Sequence, residues 1–166
     1  MKSAVASIRL LTVDDASAFV EIRRLSLATD PSAFSARPDT DAWSKLETAR
    51  QRLSSATSTD GPFVLGAFDS GLLGVIGVIR SAPVAARIWG FYVKPEHRSG
   101  GLGRALVRSA TNVVMRMPGV VRIELGVADS CTAARHVYTQ SGFQDARFDA
   151  TTNGHDMVLE LPPPNG

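Results

Sequence analysis

The strongest constraint on the fold is a strand, a glycine-rich turn and a helix that follow one another between residues 88 and 117. The apolar, aromatic run 88–93 predicts a strand, and Pro95 ends its pairing because proline has no N–H to donate. The turn 98–103 reads Arg-Ser-Gly-Gly-Leu-Gly. Apolar residues then recur at helical spacing at Leu102, Leu106, Ala110, Val113 and Met117.

The turn between this strand and helix has the chemistry of an anion-binding site. The first four N–H groups of a helix have no partner within it, and the aligned peptide dipoles place about half a positive charge there. Gly100, Gly101 and Gly103 remove Cβ atoms that would hold a phosphate away from these amides, while Arg98 and Arg104 add charge. The predicted ligand is a phosphate or pyrophosphate, although three glycines alone are equally compatible with a tight connection.

The spacing excludes two common phosphate-binding motifs. A Walker loop ends in Gly-Lys-Ser/Thr, whereas Gly103 is followed by Arg104 and Ala105. A dinucleotide fingerprint has Gly-x-Gly-x-x-Gly near the start of a Rossmann domain, and that pattern is absent from this turn. The turn therefore belongs to another class of phosphate site.

Other hydrophobic patterns predict further strands and helices around this unit. The strands are predicted at 7–13, 63–68, 72–80, 120–127, 143–149 and 155–161. One helix is predicted to begin at Asp14 or Asp15, which would cap it, and to end at Asp30. The other helices are predicted at 39–57 and from Cys131 to Gly142. Because a helix joins the strand at 88–93 to the next strand, those two are predicted to be parallel. Turns at 69–71 and 153–154 favour antiparallel hairpins.

Composition limits the class of protein. With 44% hydrophobic and 20% charged residues, the 166-residue chain is predicted to form one domain at 1–161, followed by a disordered tail at 162–166. A formal charge of +2 with scattered basic residues argues against a nucleic-acid partner. One cysteine, no secretory signal pattern and no apolar run near the ~20 residues that span a bilayer predict a cytoplasmic protein without a membrane partner.

Two motifs, in the correct order, resemble signatures of the GCN5-related N-acetyltransferase (GNAT) superfamily. The loop Arg98-x-x-Gly101-x-Gly103 resembles its pyrophosphate loop, Arg/Gln-x-x-Gly-x-Gly/Ala. The helix that starts at Cys131 resembles its second signature, Asn-x-x-Ala-x-x-Leu-Tyr-x-x-x-Gly-Phe. The positions in register are Ala134, Tyr138, Gly142 and Phe143.

This resemblance implies a fold and an activity. The fold class would be α/β (α+β), with a GNAT-type mixed, mostly antiparallel seven-stranded sheet, a parallel, splayed central strand pair and about four helices. The splay, between 91–93 and 125–127, would admit the pantetheine arm of acetyl-CoA. The enzyme would be an acyl-CoA N-acyltransferase that acetylates a primary amine of a small molecule or peptide, with acetyl-CoA as cosubstrate and no metal. A homodimer is left open.

The resemblance also implies residue roles. The pyrophosphate would bind the amides of Arg98, Ser99, Gly100, Gly101, Leu102, Gly103 and Arg104. The strand residues Phe91, Tyr92 and Val93 would contact acetyl-CoA, with the N–H near Val93 as the donor to the thioester oxygen. Tyr138, with an ordinary pKa near ~10, would protonate the departing thiolate, and core packing is its alternative role. Cys131 replaces an asparagine that helps to hold the pantetheine, and a catalytic thiol is the alternative for it.

The general base is the least specified role. Family members often have a glutamate where this chain has Arg87 or Gly126. Glu124 lies two residues before Gly126 and so on the same strand face, which makes it the first substitute, with a solvated strand face as the alternative. Water or an amine of low pKa would make a base unnecessary. The other side chains that could reach the cleft are His155 and Asp156.

Two alternative functions stay open. The missing carboxylates and Cys131 are compatible with an acyl-CoA-binding module without efficient turnover. A protein N-terminus or a lysine side chain is the other acceptor to consider, since the acceptor wall would come from the first third of the chain and the last hairpin.

Overall fold

The computed structural model describes residues 6–34, 37, 39–55 and 62–163, which form a mixed sheet with helices packed on both faces. The strands are β1 (Ser7–Leu10), β2 (Phe63–Phe68), β3 (Leu72–Ala82), β4 (Ala85–Val93), β5 (Arg122–Ala128), β6 (Gln144–Asp149) and β7 (Gly154–Glu160). The α-helices are α1 (Ala16–Thr29), α2 (Leu46–Ser54), α3 (Leu102–Val114) and α4 (Thr132–Gln140). None of the helices within the described ranges is long and apolar enough to cross a membrane.

Within the part of the chain that the structure describes, the sheet has the predicted mixed architecture, with seven strands and one parallel pair. Its strands pair in the order β1-β2-β3-β4-β5-β7-β6, and each neighbouring pair is antiparallel except β4 with β5. The parallel pairing covers only Ala85 with Arg122, Ala86 with Ile123 and Arg87 with Glu124. Beyond these residues β4 and β5 separate, which confirms the predicted splay at their carboxyl ends.

A β-bulge in β4 decides which side chains face which layer. Between the paired positions Trp89 and Tyr92, β4 has two residues, Gly90 and Phe91, where β3 has one. Gly90 has φ +63°, a left-handed conformation that costs other residue types about 1–2 kcal/mol. As a result, Trp89 and Tyr92 pack with α1 and α2, whereas Phe91 packs on the opposite face, which α3 and α4 cover.

Each face of the sheet has its own apolar core. The core beneath α3 contains the helix residues Leu106, Val107, Ala110 and Val114, each fully buried. The core beneath α1 and α2 contains Phe19, Val20, Ile22, Trp43, Ala49 and Leu53. Fully burying one such large side chain contributes about 1.5–3 kcal/mol, so these stripes fix the helices and the loop between β4 and α3.

Some predicted boundaries are wrong. The second helix begins at Leu46 rather than residue 39, because Ala42–Ser44 forms a 3₁₀ turn and Lys45 is extended (φ −96°, ψ 124°). The first strand ends at Leu10 because Val13–Asp15 is another 3₁₀ turn. Tight turns of three residues carry no hydrophobic periodicity, and a pattern search absorbs them into the neighbouring element.

The predicted capping of α1 is also wrong, since Asp15 at its start makes no side-chain capping hydrogen bond and Asp14 makes none either. The Asp15 carboxylate accepts hydrogen bonds from Arg9 at 2.7 Å and from the Thr12 backbone N–H at 2.8 Å, and the Arg9 bond keeps the pKa of Asp15 below its ordinary value. Residues 56–57 of the predicted second helix and 164–166 of the predicted tail lie outside the described residues.

Candidate active site

The loop between β4 and α3 presents a run of backbone amides, from Ser99 to Arg104, that donate no hydrogen bond to any described residue. The first amide of the helix to do so is that of Ala105, which bonds to the Gly101 carbonyl at 3.0 Å. Ser99 and Gly101 have φ of +70° and +85°, and left-handed residues of this kind turn successive N–H groups toward one concave side. This concavity, at the positive end of the α3 dipole, suits a phosphate group.

The three glycines of the loop have different structural roles. A Cβ at Gly100 or Gly101 would meet no atom within 4 Å, so both positions leave open space for a ligand. Gly101 is also required by its positive φ. A Cβ at Gly103 would lie 3.1 Å from Cζ of Phe91, so this glycine permits close packing between α3 and β4.

The arginines of the loop are held by protein groups. The Arg98 guanidinium donates to the Val93 carbonyl at 2.8 Å and to the Asp30 carboxylate at 2.7 Å, and the Arg98 backbone N–H donates to the Pro95 carbonyl at 3.2 Å. Arg98 therefore joins the end of β4 to the end of α1 instead of extending freely toward a ligand. Arg104 donates to the Gln140 amide oxygen on α4 at 3.3 Å.

Val93 directs its main-chain groups into the splay. The Lys94 N–H donates to the Leu73 carbonyl of β3 at 2.9 Å, and successive residues of a strand direct their N–H groups to opposite edges. The Val93 N–H therefore points away from β3, toward the space from which β5 has separated. The hydrogen bond from Arg98 to the Val93 carbonyl lies on this same edge.

A cavity lies at the splay and brings together the bulge, β5, α4 and the loop after α1. Its lining residues are Ala33, Phe34, Ile88, Trp89, Gly90, Phe91, Gly126, Val127, Cys131, Ala134 and Tyr138. Three of the predicted site residues, Phe91, Cys131 and Tyr138, therefore share one cavity. The Tyr92 side chain is on the other face of the sheet, where its hydroxyl lies 2.8 Å from Oγ1 of Thr29.

Tyr138 is only 5% exposed and packs between two aromatic rings of the α3–α4 face. Its ring centroid lies 5.5 Å from that of Phe91 and 5.8 Å from that of Phe143. The hydroxyl forms no hydrogen bond with any described residue. Burial, with a smaller contribution from Cys131, raises the pKa of Tyr138 well above its ordinary value, so the phenol remains a proton donor at all physiological pH values.

Cys131 immediately precedes α4 and is half-buried at the cavity. Its backbone N–H donates to the Ala128 carbonyl at 2.9 Å, which fixes the start of the helix. No protein group within the described chain forms a hydrogen bond with the thiol.

The carboxylates and imidazoles proposed as bases lie outside the cavity lining. Glu124 accepts a hydrogen bond from Nε of Arg122 at 2.8 Å. Nε2 of His155 lies 2.7 Å from the Asp129 carboxylate. Where the family often has an acid, Nη2 of Arg87 lies 3.0 Å from the position that a Cβ at residue 126 would occupy.

Sequence reasoning missed a buried ion pair that lies beside Phe34 in the wall of the cavity. Arg23 donates to Asp41 through Nε at 3.0 Å and Nη2 at 3.1 Å, and its guanidinium lies 5.2 Å from the ring centroid of Phe34. Burial raises the pKa of Asp41, but hydrogen bonds from Arg23 and Ser44 outweigh it and bring that pKa below its ordinary value. Nη1 of Arg23 lies 3.4 Å from the Cβ position of Gly90, so the pair abuts the bulge.

The bulge itself had a signal in the sequence, because a glycine within a strand pattern often marks one, as in Trp89-Gly90-Phe91. The Arg23–Asp41 pair had none, since its partners are far apart in the chain. Among the described residues, no group of three or more His, Cys, Asp or Glu side chains is placed to hold a metal ion.

Comparison with known proteins gives relatives of one kind. The model of the acetyltransferase (GNAT) family matches residues 19–143, which include the amide loop, the bulge and Tyr138. A mycothiol acetyltransferase of Salinispora tropica is 33% identical over an alignment of 132 residues that covers 76% of this chain and 42% of that protein. The chain thus spans less than half the length of this relative.

Solved structures of acetyltransferases share the fold. The PaiA N-acetyltransferase of Thermoplasma acidophilum, in complex with coenzyme A, has a TM-score of 0.78 at 22% identity, over 95% of this chain and 100% of that one. YncA, a putative acetyltransferase of Salmonella typhimurium with its cofactor acetyl-CoA, has a TM-score of 0.74 at 21% identity, over 98% of both chains. The family match and the splayed β4–β5 pair agree, and the chain belongs to the acetyltransferase (GNAT) family.

Proposed function

We propose that the protein transfers the acetyl group of acetyl-CoA to a primary amine of a small molecule or peptide. The observation that carries this proposal is the run of unbonded amides from Ser99 to Arg104 beside a cavity that contains a protonated tyrosine. Phe91 connects the two parts, because its ring packs against Gly103 and lies 5.5 Å from the Tyr138 ring. The PaiA and YncA structures, which share the fold, were solved with coenzyme A and acetyl-CoA.

Each group has one task in the transfer. The diphosphate of acetyl-CoA binds the amides at the head of α3, and the pantetheine enters the splay past Cys131 and Phe91. The Val93 N–H donates to the thioester oxygen, where negative charge develops as the amine attacks. The carbon–nitrogen bond forms, the carbon–sulfur bond breaks, and Tyr138 donates its proton to the departing thiolate. The nitrogen loses one proton as the amide forms, and a proton returned through water restores the Tyr138 phenol.

The proton on the acceptor amine leaves by another route. No carboxylate or imidazole of the described residues lines the cavity, so we propose that the amine binds neutral or loses its proton to water. Glu124 is held by Arg122 and would act only through an intervening water.

A substitution in the amide loop tests the coenzyme assignment. Gly100→Asp adds a carboxylate where a side chain meets nothing and φ is not positive, so the fold should persist while the new charge repels the diphosphate. We expect CoA affinity to fall about 100-fold by isothermal calorimetry, because a like charge next to a ligand costs several kcal/mol. Gly71→Asp, in the open turn between β2 and β3, is the matched control. Equal CoA binding by the parent and Gly100→Asp would exclude the phosphate assignment.

The absence of a base from the cavity lining also favours a second function, an acyl-CoA-binding module without efficient turnover. Release of free CoA from acetyl-CoA, measured with a panel of amines, amino acids and peptides with free N-termini, separates the two. Tight CoA binding without turnover on any acceptor would favour the module, and turnover that requires Tyr138 would favour the enzyme.

A further inference from the structure

At the edge of the cavity, on the proposed acceptor side, Arg87 has no counter-ion among the described residues. Arg87 is half-buried on β4, on the face that carries Trp89, and its Nη2 lies 3.0 Å from the Cβ position of Gly126. Gly126 and Trp89 both line the cavity. The missing side chain at residue 126 therefore lets the Arg87 guanidinium reach the edge of the cavity.

Arg87 makes no hydrogen bond or ion pair with any described residue. Two carboxylates lie on the same sheet face, and neither is bonded to Arg87: Glu124, which pairs with it across the strands, is bound by Arg122, and Oδ2 of Asp156 lies 3.4 Å from Nε of Arg147. Arg23, the other arginine near the cavity, is neutralised by Asp41. A half-buried charge without a counter-ion is unfavourable, so a ligand anion would be stabilised there.

We infer that the acceptor is an amine that also carries a carboxylate, and that Arg87 binds this carboxylate. The inference rests on the proposed acetyl transfer and specifies its substrate class. The planar guanidinium fork matches a carboxylate through two hydrogen bonds, and one uncompensated positive charge matches one negative charge. A dianionic phosphate is disfavoured, since Oδ1 of Asp156 lies 3.8 Å from the same bare point at Gly126.

The position also fits a compact acceptor. The Arg87 guanidinium lies level with Trp89 along β4. The Val93 N–H, the proposed donor to the thioester oxygen, is four residues further along the strand, roughly 13 Å at ~3.3 Å per residue. An amino acid or short peptide bound by its carboxylate at Arg87 would place its amine in the cavity between these two points.

The test measures ligand binding and needs no turnover. N-acetyl amino acids of increasing spacing between carboxylate and amide, and the matching carboxamides, are titrated into the CoA-saturated protein by ligand-observed NMR. We expect the acids to bind about 10- to 100-fold more tightly than the carboxamides, the range that a hydrogen bond to a charged group provides. Arg87→Met should remove this difference, and Arg116→Met, which replaces an exposed arginine outside the cavity lining, should retain it.

Carboxamides that bind as well as the acids to the unaltered protein would overturn the inference, and that comparison needs no variant. A preference for acids that persists in Arg87→Met would overturn it too, as would an N-acetyl aminoalkyl phosphate that binds more tightly than every acid. Loss of CoA binding or of acetyl transfer counts against the proposed function and is measured separately.

Discussion

Under the proposed function, the two sides of the cavity would recognise their ligands by different means. On the coenzyme side, Ser99 to Arg104 offer backbone amides, and the nearby arginines Arg98 and Arg104 are held by protein groups. On the proposed acceptor side, side chains supply the contacts: Arg23 supports the wall through its ion pair with Asp41, and Arg87 has no counter-ion among the described residues. A backbone site tolerates sequence change provided that its turn is kept, whereas a side-chain site changes its ligand with one substitution.

The largest expected effect is a loss of unfolding free energy when the ion pair of the proposed acceptor side is broken. Arg23→Met leaves the buried Asp41 carboxylate without its partner, and removing one member of a buried ion pair costs about 3–5 kcal/mol of unfolding free energy. Urea denaturation measures the loss. Arg122→Met breaks the half-buried Arg122–Glu124 pair, which is more accessible to water than the Arg23–Asp41 pair, and should cost less than about 1 kcal/mol. Equal losses in both variants would contradict a structural role for the acceptor wall.

The second effect distinguishes the proposed coenzyme binding from the proposed proton donation. Tyr138→Phe removes the proton donor while CoA remains on the backbone amides, so kcat should fall about 100-fold with little change in CoA affinity. Because the raised pKa keeps the phenol protonated, the parent should show no loss of rate from Tyr138 ionisation up to about pH 10.

Tyr92→Phe is the matched control, since Tyr92 is the second of the two tyrosines in the chain. It loses the contact with Thr29 and should lower stability by about 1 kcal/mol without lowering kcat. If Tyr138→Phe retains the parent rate, the tyrosine has only a packing role.

The smallest effect would add a side-chain contact to the coenzyme side. Cys131→Asn introduces the amide that the family signature has at this position, and one additional hydrogen bond should tighten CoA binding about fivefold. Cys131→Ala should leave the affinity near that of the parent. Calorimetry measures both. Loss of turnover in both variants would instead indicate a catalytic thiol.

Local patterns in the sequence predicted the strands and the parallel β4–β5 pair, and the family resemblance implied the splay, whereas the position of β7 between β5 and β6 came from the structure. Periodicity and turn signals located each strand, and the helix between β4 and β5 required a parallel pair. The same patterns misplaced the start of α2 and the cap of α1, where the 3₁₀ turns at Ala42–Ser44 and Val13–Asp15 satisfy neighbouring groups instead. Glu124, the base selected from strand alternation, lies on the expected strand but is bound by Arg122.

By itself, the sequence determined the unit of strand, glycine-rich turn and helix that leaves backbone amides unbonded, because glycines and a helix dipole act within a few consecutive residues. The tertiary structure alone decided the acceptor side. The bulge at Gly90 sets which face each β4 side chain occupies, and Gly126 makes room for Arg87 from another strand. The Arg23–Asp41 pair joins residues 18 positions apart. Such contacts depend on which elements pack together, and the packing of distant elements is not indicated by any pattern of neighbouring residues.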